Sequence, residues 1–203
     1  EDPFEYRGIR EYQPQDDLKS INWKATARTG EFKVNQKNYT AEKSVRIFIN
    51  LEDTGILKKE DCVEASLQIA TALLLLFLEQ GMQVAVYCNG VDVLHNEPCI
   101  LEAGGGIRQR EAVLRSFALI DTAKPVRSFS ELFSSRLSES SGALMTCIVS
   151  PNAYDDFASL ILQYHTRHPD MKWFLPYSGT VPPEMEEELR SLITFISLRE
   201  ESV

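Results

Sequence analysis

The segments VRIFIN at Val45–Asn50 and QVAVYC at Gln83–Cys88 enclose a long apolar run at Glu60–Gln80. Each short segment is uninterrupted and rich in β-branched and aromatic residues, which is typical of a strand buried on both faces. The run between them is apolar nearly all round its middle and stops at Gly81, a residue suited to a helix C-terminus. Together they predict a strand, a buried crossover helix and a second, parallel strand.

The same alternation continues outward toward the C-terminus. Asn89-Gly90 is a turn signal and predicts a β-hairpin with strands at Val91–Leu94 and Cys99–Leu101. Further helices are predicted at 108–120, 128–137, 154–165 and 183–192, and further strands at 144–149, 171–175 and 194–198. The pattern predicts an α/β fold with a mainly parallel sheet over residues 45–203. Residues 1–44 break it, and we expect them to form an irregular extension packed on this body, with one short strand at Glu31–Tyr39.

The net charge of −9 is unevenly spread along the chain. Residues 1–46 hold nine Lys and Arg against eight Asp and Glu, a net of +1, so the remainder carries −10. A body this acidic repels phosphate backbones, and we expect no nucleic-acid binding. A basic patch between Leu18 and Ala41 has three readings: a site for an acidic partner, a site for lipid headgroups, or a solvated face.

Cysteine usage and hydropathy bear on location. The four cysteines lie far apart with no CxxC pair, which favours reduced, cytosolic thiols. The apolar stretch Ala65–Leu78 has 14 residues, fewer than the roughly 20 that a bilayer span needs. The chain opens without an initiator Met and without a basic signal-peptide region. We therefore expect a soluble fragment of a longer protein, with any membrane anchor in the missing N-terminal region.

The N-terminal extension carries a long motif. It reads YRGIREYQPQDD at Tyr6–Asp17 and LKSINWKATARTGEFKV at Leu18–Val34. This order resembles the hallmark of the bacterial family named domain of unknown function 58: G-x-R-x-Y-x-P-G-D, a short spacer, I-x-W-x-x-(S/T)-A-R, then L-x-V. Gln15 stands where the family usually has Gly, and Phe32 where it often has Leu. The matching positions are Gly8, Arg10, Tyr12, Pro14, Asp16, Ile21, Trp23, Thr26, Ala27, Arg28 and Val34.

The resemblance extends more loosely over essentially the whole chain and implies a von Willebrand A-like, Rossmann-like three-layer α/β/α sandwich. It also implies a non-enzymatic protein–protein interaction module that acts with a MoxR-type AAA+ ATPase in the assembly or maturation of client proteins. Family members often carry two transmembrane segments upstream, which implies a position at the cytoplasmic face of the membrane. No cofactor is implied.

Cations, aromatic rings and carboxylates alternate along the motif. Either guanidinium–carboxylate pairs and aromatic faces make an irregular segment rigid, or the same side chains form a docking surface for a partner protein. Both readings stay open from the sequence. The candidate partner-binding residues are Arg7, Arg10, Tyr12, Asp16, Trp23, Lys24 and Arg28.

Von Willebrand A-like folds hold a divalent cation at the carboxyl edge of the sheet, through a D-x-S-x-S loop after the first strand. Hard ions such as Mg²⁺ need oxygen ligands in a near-octahedral array. Here an amide replaces the first carboxylate, and the later Asp and Thr ligands are missing from Ser150-Pro151-Asn152 and from the residues after Gly106. The residues of this degenerate site are Asn50, Glu52, Asp53 and Thr54. We expect no bound metal, and a divalent-cation-dependent, adhesion-like ligand binder that uses Mg²⁺ is the alternative function.

No signature of catalysis is present in the sequence. There is no G-x-S-x-G nucleophile elbow and no catalytic-cysteine motif, and Gly104-Gly105-Gly106 lacks the spacing of a phosphate-binding loop. Cys62, Cys88 and Cys147 fall in predicted helix or strand runs, where buried thiols are inert. His95 lacks zinc-ligand spacing to the nearby cysteines. We therefore expect no enzyme, with a hydrolase as the weakest of the three functions.

Overall fold

A computed structural model describes residues 6–13, 21–37, 44–52, 60–139, 143 and 145–198. Only the backbone is described for residues 6–10, 35–37 and 138–139. The chain divides into two compact units, Glu1–Glu42 and Lys43–Val203.

The described residues of the first unit form two strands and a short helix: β1 (Tyr6–Glu11), α1 (Trp23–Thr29) and β2 (Lys33–Lys37). The two strands pair antiparallel. The strand predicted at Glu31–Tyr39 is present as β2, and its last two residues lie outside the described residues. Neither β1 nor α1 was predicted.

Helix α1 escaped prediction because WKATART contains no apolar face of helical period. Its ends, however, carry ordinary signals. The Asn22 side chain caps the N-terminus, where its Oδ1 accepts a hydrogen bond from the Ala25 N–H at 2.9 Å. Gly30 ends the helix in the left-handed conformation, with φ 75°, and its N–H donates to the Thr26 carbonyl. Local capping chemistry therefore defines this helix.

The second unit is built on a six-stranded sheet. Five of its strands are parallel to one another, and one edge strand is antiparallel. The spatial order is β5-β4-β3-β6-β7-β8. The strands are β3 (Ser44–Ile49), β4 (Gln83–Val91), β5 (Pro98–Gly104), β6 (Met145–Val149), β7 (Met171–Ser178) and β8 (Ile193–Leu198). The predicted α/β class with a mainly parallel sheet is confirmed.

Helices cover both faces of this sheet. They are α2 (Glu60–Glu79), α3 (Gly106–Ala118), α4 (Phe129–Glu139), α5 (Asp155–His165) and α6 (Glu187–Arg190). Alternate residues of β3 point into two different apolar layers, because successive side chains along a strand project to opposite faces. Ile47 and Ile49 pack with residues of α2 and α3, whereas Phe48 packs with residues of α4 and α5.

Helix α2 connects β3 to β4, as predicted for Glu60–Gln80. By length and composition it is the one helix in the described ranges that is apolar enough to cross a membrane. Its buried side includes Ala70, Leu74 and Phe77, which belong to the apolar layer on β3 and β4. Gly81 follows with φ 72°, so the predicted glycine stop is confirmed.

A hairpin is present as β4–β5, and the predicted strand at Cys99–Leu101 lies within β5, but the turn was misplaced. Asn89 and Gly90 lie inside β4 and are buried, so the strand predicted at Val91–Leu94 is also wrong. Gly90 serves close packing instead of turn formation, because an added Cβ would lie 2.7 Å from a side-chain carbon of Leu51. The chain reverses further along, near Asn96, whose φ of 59° is left-handed.

The helix predicted at 183–192 is largely wrong, since only Glu187–Arg190 is helical. This single helical turn buries one residue, Leu189. So small a buried face does not stabilise a longer helix.

One arginine is buried in the middle of the sheet. Arg46 on β3 is 6% exposed, and its Nη1 donates to the Leu137 carbonyl at 3.4 Å. That carbonyl belongs to the last turn of α4, where the helix dipole favours a cation. Burial lowers the pKa of Arg46. Arg46 thus ties the central strand to the C-terminal end of α4.

Candidate functional site at the carboxyl edge of the sheet

The strand order of the sheet reverses between β3 and β6. These strands are parallel neighbours, yet β3 leads to β4 on one side and β6 leads to β7 on the other. In open α/β sheets the crevice outside the carboxyl ends of such a strand pair is the usual place for a ligand. Five polar residues lie at this edge and are here called the carboxyl-edge cluster: Asn50, Glu52, Asn89, Ser150 and Asn152.

Two buried amides form the centre of the carboxyl-edge cluster. Asn50 and Asn89 are both fully buried. The Asn89 Oδ1 accepts from the Leu51 N–H at 2.8 Å, and its Nδ2 donates to Asn50 Oδ1 at 3.0 Å and to the Arg127 carbonyl at 3.1 Å. One side chain therefore holds the described start of the loop after β3 and the segment before α4. Asn89 carried no functional signal at the level of sequence, because Asn-Gly predicts a turn.

Glu52 connects the same loop to a helix start. Its Oε1 accepts a hydrogen bond from the Phe129 N–H at 2.8 Å, and Phe129 is the first residue of α4. The first N–H groups of a helix have no partner within the helix and carry a partial positive charge. A carboxylate there stabilises the helix, so Glu52 acts as a long-range N-terminal cap.

The loop after β6 is held by its own polar side chains. Ser150 Oγ accepts from the Asn152 N–H, and Asn152 Oδ1 accepts from the Tyr154 N–H, both at 3.1 Å. The Trp173 Nε1 donates to the Ser150 carbonyl at 3.1 Å. A cavity of about 470 Å³ opens beside this loop, and Glu52 and Asn152 contribute to its lining. Hydrogen bonds thus hold the loop after β6 and the described start of the loop after β3, Leu51 and Glu52.

The described part of the predicted metal site does not fit a hard cation. Asn50 Oδ1 already accepts from Asn89 and from the Glu52 N–H at 2.9 Å. The Asn50 Nδ2 is buried without a hydrogen-bond partner, and an amide N–H group does not ligate a cation. Asp53 and Thr54 lie outside the described residues. Across the described ranges, no group of three His, Cys, Asp or Glu side chains is placed to hold a metal ion.

We expect Mg²⁺ at about 5 mM to leave the melting temperature unchanged, because Asn50 Oδ1 and Glu52 Oε1 already accept hydrogen bonds and too few oxygens remain for an octahedral site. A site with a micromolar Kd would raise it by roughly 10 °C at that concentration. Calorimetric titration of the wild type and of Glu52→Ala measures the binding directly. Micromolar binding that the substitution abolishes would contradict this expectation and support the adhesion-like alternative.

In the first unit, part of the hallmark motif maintains local structure. Thr26 Oγ1 accepts from the Lys33 N–H at 3.1 Å and so ties α1 to β2. Ile21 and Val34 are buried and form an isolated bridge. The Lys33 ammonium contacts Glu11 at 3.3 Å and Glu31 at 3.0 Å, and hydrogen bonding to Glu31 is the main cause of its raised pKa. These contacts support the reading of a rigid segment.

Another part of the motif, on α1, is exposed to solvent. Trp23, Lys24, Ala27 and Arg28 are all exposed, and at 3.6 residues per turn they occupy one arc of about 140° on α1. This surface is here called the hallmark face. The Trp23 ring is 65% exposed and meets Phe32, which is 56% exposed, edge-on at 6.4 Å. Phe32 in turn meets the Tyr12 ring at 6.1 Å.

The structure therefore brings Tyr12, Trp23, Lys24 and Arg28 of the predicted partner-binding set into one unit. The side chains of Arg7 and Arg10 and the whole of Asp16 lie outside what the structure describes. Their proposed part in docking stays a prediction.

The thiols are poor nucleophiles. All four cysteines are free, and Cys62, Cys88 and Cys147 are buried, as predicted. Burial raises the pKa of Cys147 to about 12 and that of Cys99 to about 11, so thiolate is scarce at neutral pH. His95 is 75% exposed beside Asp92 in the hairpin turn. These groups do not assemble a nucleophile with a base.

Comparison with known proteins bears on both regions. The model of the family described as "Protein of unknown function DUF58" matches residues 8–144, about two thirds of the chain. The matched range includes the hallmark face and the loop after β3. No curated protein matches the chain.

Proposed function

Because the chain belongs to the family described as Protein of unknown function DUF58, we propose that it is a non-enzymatic protein–protein interaction module on a von Willebrand A-like form of the α/β fold. The fold assignment is supported by the strand order, the antiparallel edge strand and the helices on both faces. It is also supported by the position of Asn50 and Glu52, which directly follow the first strand of the sheet.

The hallmark face carries this proposal. Trp, Tyr and Arg are the residues that most often dominate binding energy at protein interfaces, and an exposed tryptophan costs solvation free energy unless a partner covers it. Asn22, Thr26 and Gly30 already stabilise α1 through their own bonds. Trp23 and Arg28 point outward instead, which favours recognition over a purely structural role.

The partner we propose is a MoxR-type AAA+ ATPase, with which the chain acts in the assembly or maturation of client proteins at the cytoplasmic face of a membrane. The partner, the location and a membrane tether all rest on the family resemblance. The cations Lys24 and Arg28 favour a partner surface that carries acidic side chains.

We expect Trp23→Ala to weaken binding of the purified MoxR-type ATPase about 30-fold and Arg28→Glu about 10-fold. Matched controls are Ile107→Ala, an apolar residue 73% exposed on α3, and Arg110→Glu, an exposed cation on the same helix. Both controls should bind like the wild type. Surface plasmon resonance gives the affinities, and circular dichroism checks folding.

Two results would count against docking through this face. Unchanged affinity in Trp23→Ala and Arg28→Glu would remove the proposed contact. A large fall in melting temperature in both variants would show instead that the motif acts as structural support.

A further inference from the structure

Cys88 and Cys99 lie directly opposite each other on β4 and β5. Residues opposite in an antiparallel pair project to the same face of the sheet, and both thiols belong to the apolar layer under α2 and α3. Neither is in a disulfide. The fold thus places two reduced sulfurs side by side, although eleven positions separate them along the chain.

The spacing suits a covalent link. Opposite residues in antiparallel strands have Cα atoms about 4.5 to 5.5 Å apart, within the roughly 4.4 to 6.8 Å that disulfides span. The pairing register shifts immediately beyond Cys88, where Asn89 and Gly90 are extra residues on β4. A bulge of this kind lets the strand adjust by the small distance that bond formation requires.

We propose that Cys88 and Cys99 form an oxidisable dithiol, a redox modification site whose co-reactant is a small-molecule disulfide of the glutathione class. The asymmetry of burial sets the order of events. Cys88 is fully buried, whereas Cys99 is half-buried on β5. Because β5 is an edge strand, local opening exposes Cys99 first.

The reaction balances in two exchanges. The Cys99 thiolate attacks one sulfur of the small disulfide, which forms a mixed disulfide and releases one small thiolate. The Cys88 thiolate then attacks the Cys99 sulfur and expels the second small thiolate. The two protons lost by the cysteines end on the two released thiols, the protein is oxidised by two electrons, and the small disulfide is reduced.

Burial raises the pKa of Cys99 to about 11 and that of Cys88 still further. The thiolate fraction is therefore small near neutral pH, and oxidation is slow. We expect its rate to rise roughly tenfold per pH unit between about pH 7 and 9.

The test uses the 203-residue chain, folded, with oxidised glutathione at pH 8. Intact mass should fall by about 2 Da, peptide mapping should join Cys88 to Cys99, and the melting temperature should rise by roughly 5 °C. Cys99→Ala and Cys99→Ser should abolish the cross-link, and Cys62→Ser and Cys147→Ser are the matched controls that should retain it. Circular dichroism confirms that each variant is folded.

Three outcomes would overturn the proposal. One is an unchanged mass after prolonged incubation. Another is a stable glutathione adduct on Cys99 that Cys88 never resolves. The last is a cross-link that forms only in denaturant or that survives in both Cys99 variants.

Discussion

Replacing Asn89 with alanine is expected to lower the free energy of unfolding by about 3 kcal/mol. The substitution removes three hydrogen bonds at once, from the Leu51 N–H and to Asn50 and the Arg127 carbonyl. The Leu51 N–H is then buried without a partner, and an unsatisfied buried donor costs about 1 to 3 kcal/mol. Urea denaturation measures the change as a shift of the midpoint at constant slope.

The isosteric variant Asn89→Asp separates hydrogen bonding from shape. Aspartate still accepts from the Leu51 N–H, but as a carboxylate it cannot donate to the other two oxygens and repels them. Burial and these acceptors raise its folded-state pKa above the unfolded value of about 3.9. The folded state then binds the proton more tightly, so the stability of this variant relative to the wild type is greatest below about pH 4 and falls as the pH rises through the folded pKa.

Gln68→Ala is the matched control for both substitutions, because Gln68 is an exposed amide on α2. It should change stability by less than about 0.5 kcal/mol. A loss of less than about 1 kcal/mol in Asn89→Ala would mean that water replaces the amide, and the carboxyl-edge cluster would not depend on Asn89.

The core of the second unit could be predicted because its elements are locally encoded. VRIFIN and QVAVYC are mostly apolar and are buried on both faces, and the run at Glu60–Gln80 is long and apolar enough to predict a helix that packs on the sheet. The parallel pairing of β3 with β4 then follows from the crossover. Short elements with few buried residues, such as α6, gave no comparable signal.

The carboxyl-edge cluster was only half accessible from the sequence. Register along β3 placed Asn50 and Glu52 correctly at the strand end. Their hydrogen-bond partners, Asn89 and Phe129, are 39 and 77 residues away along the chain, and no local pattern reports such contacts. The Asn-Gly pair stands between Cys88 and Val91, which are both apolar. This apolar context was a usable sign in the sequence that the pair is buried.

For the hallmark face, the sequence identified the residues but not which of them are exposed. The motif identified the segment, yet its sequence alone could not divide the residues that hold α1 together from those that point outward. Asn22 before the helix and Gly30 after it are capping signals that would have located α1. Once α1 is placed, its geometry puts Trp23 and Arg28 on one surface, and that division is what favours docking.

Phe133→Ala is expected to lower the free energy of unfolding by about 4 kcal/mol. Phe133 lies on α4, is fully buried, and meets three rings: Phe48 edge-on at 4.8 Å, Phe129 stacked at 5.4 Å and Tyr164 edge-on at 5.0 Å. Each such pair contributes about 0.5 to 1.5 kcal/mol beyond burial, and truncation also leaves a cavity. Phe133→Leu, which refills part of that cavity, should lose about half as much.

Because Phe133 holds α4 on the sheet, the substitution should also weaken the hydrogen bond between Glu52 and the first residue of α4. Amide hydrogen exchange at Phe129 should accelerate in Phe133→Ala by more than the loss of global stability accounts for. Exchange in β3 and α2 should accelerate only by the amount that the lower global stability accounts for. Ile107→Ala, exposed on α3, is the control and should leave both exchange and unfolding unchanged. Uniform acceleration across the sheet would show instead that α4 unfolds only with the whole unit, and that Phe129 and Glu52 respond to global stability alone.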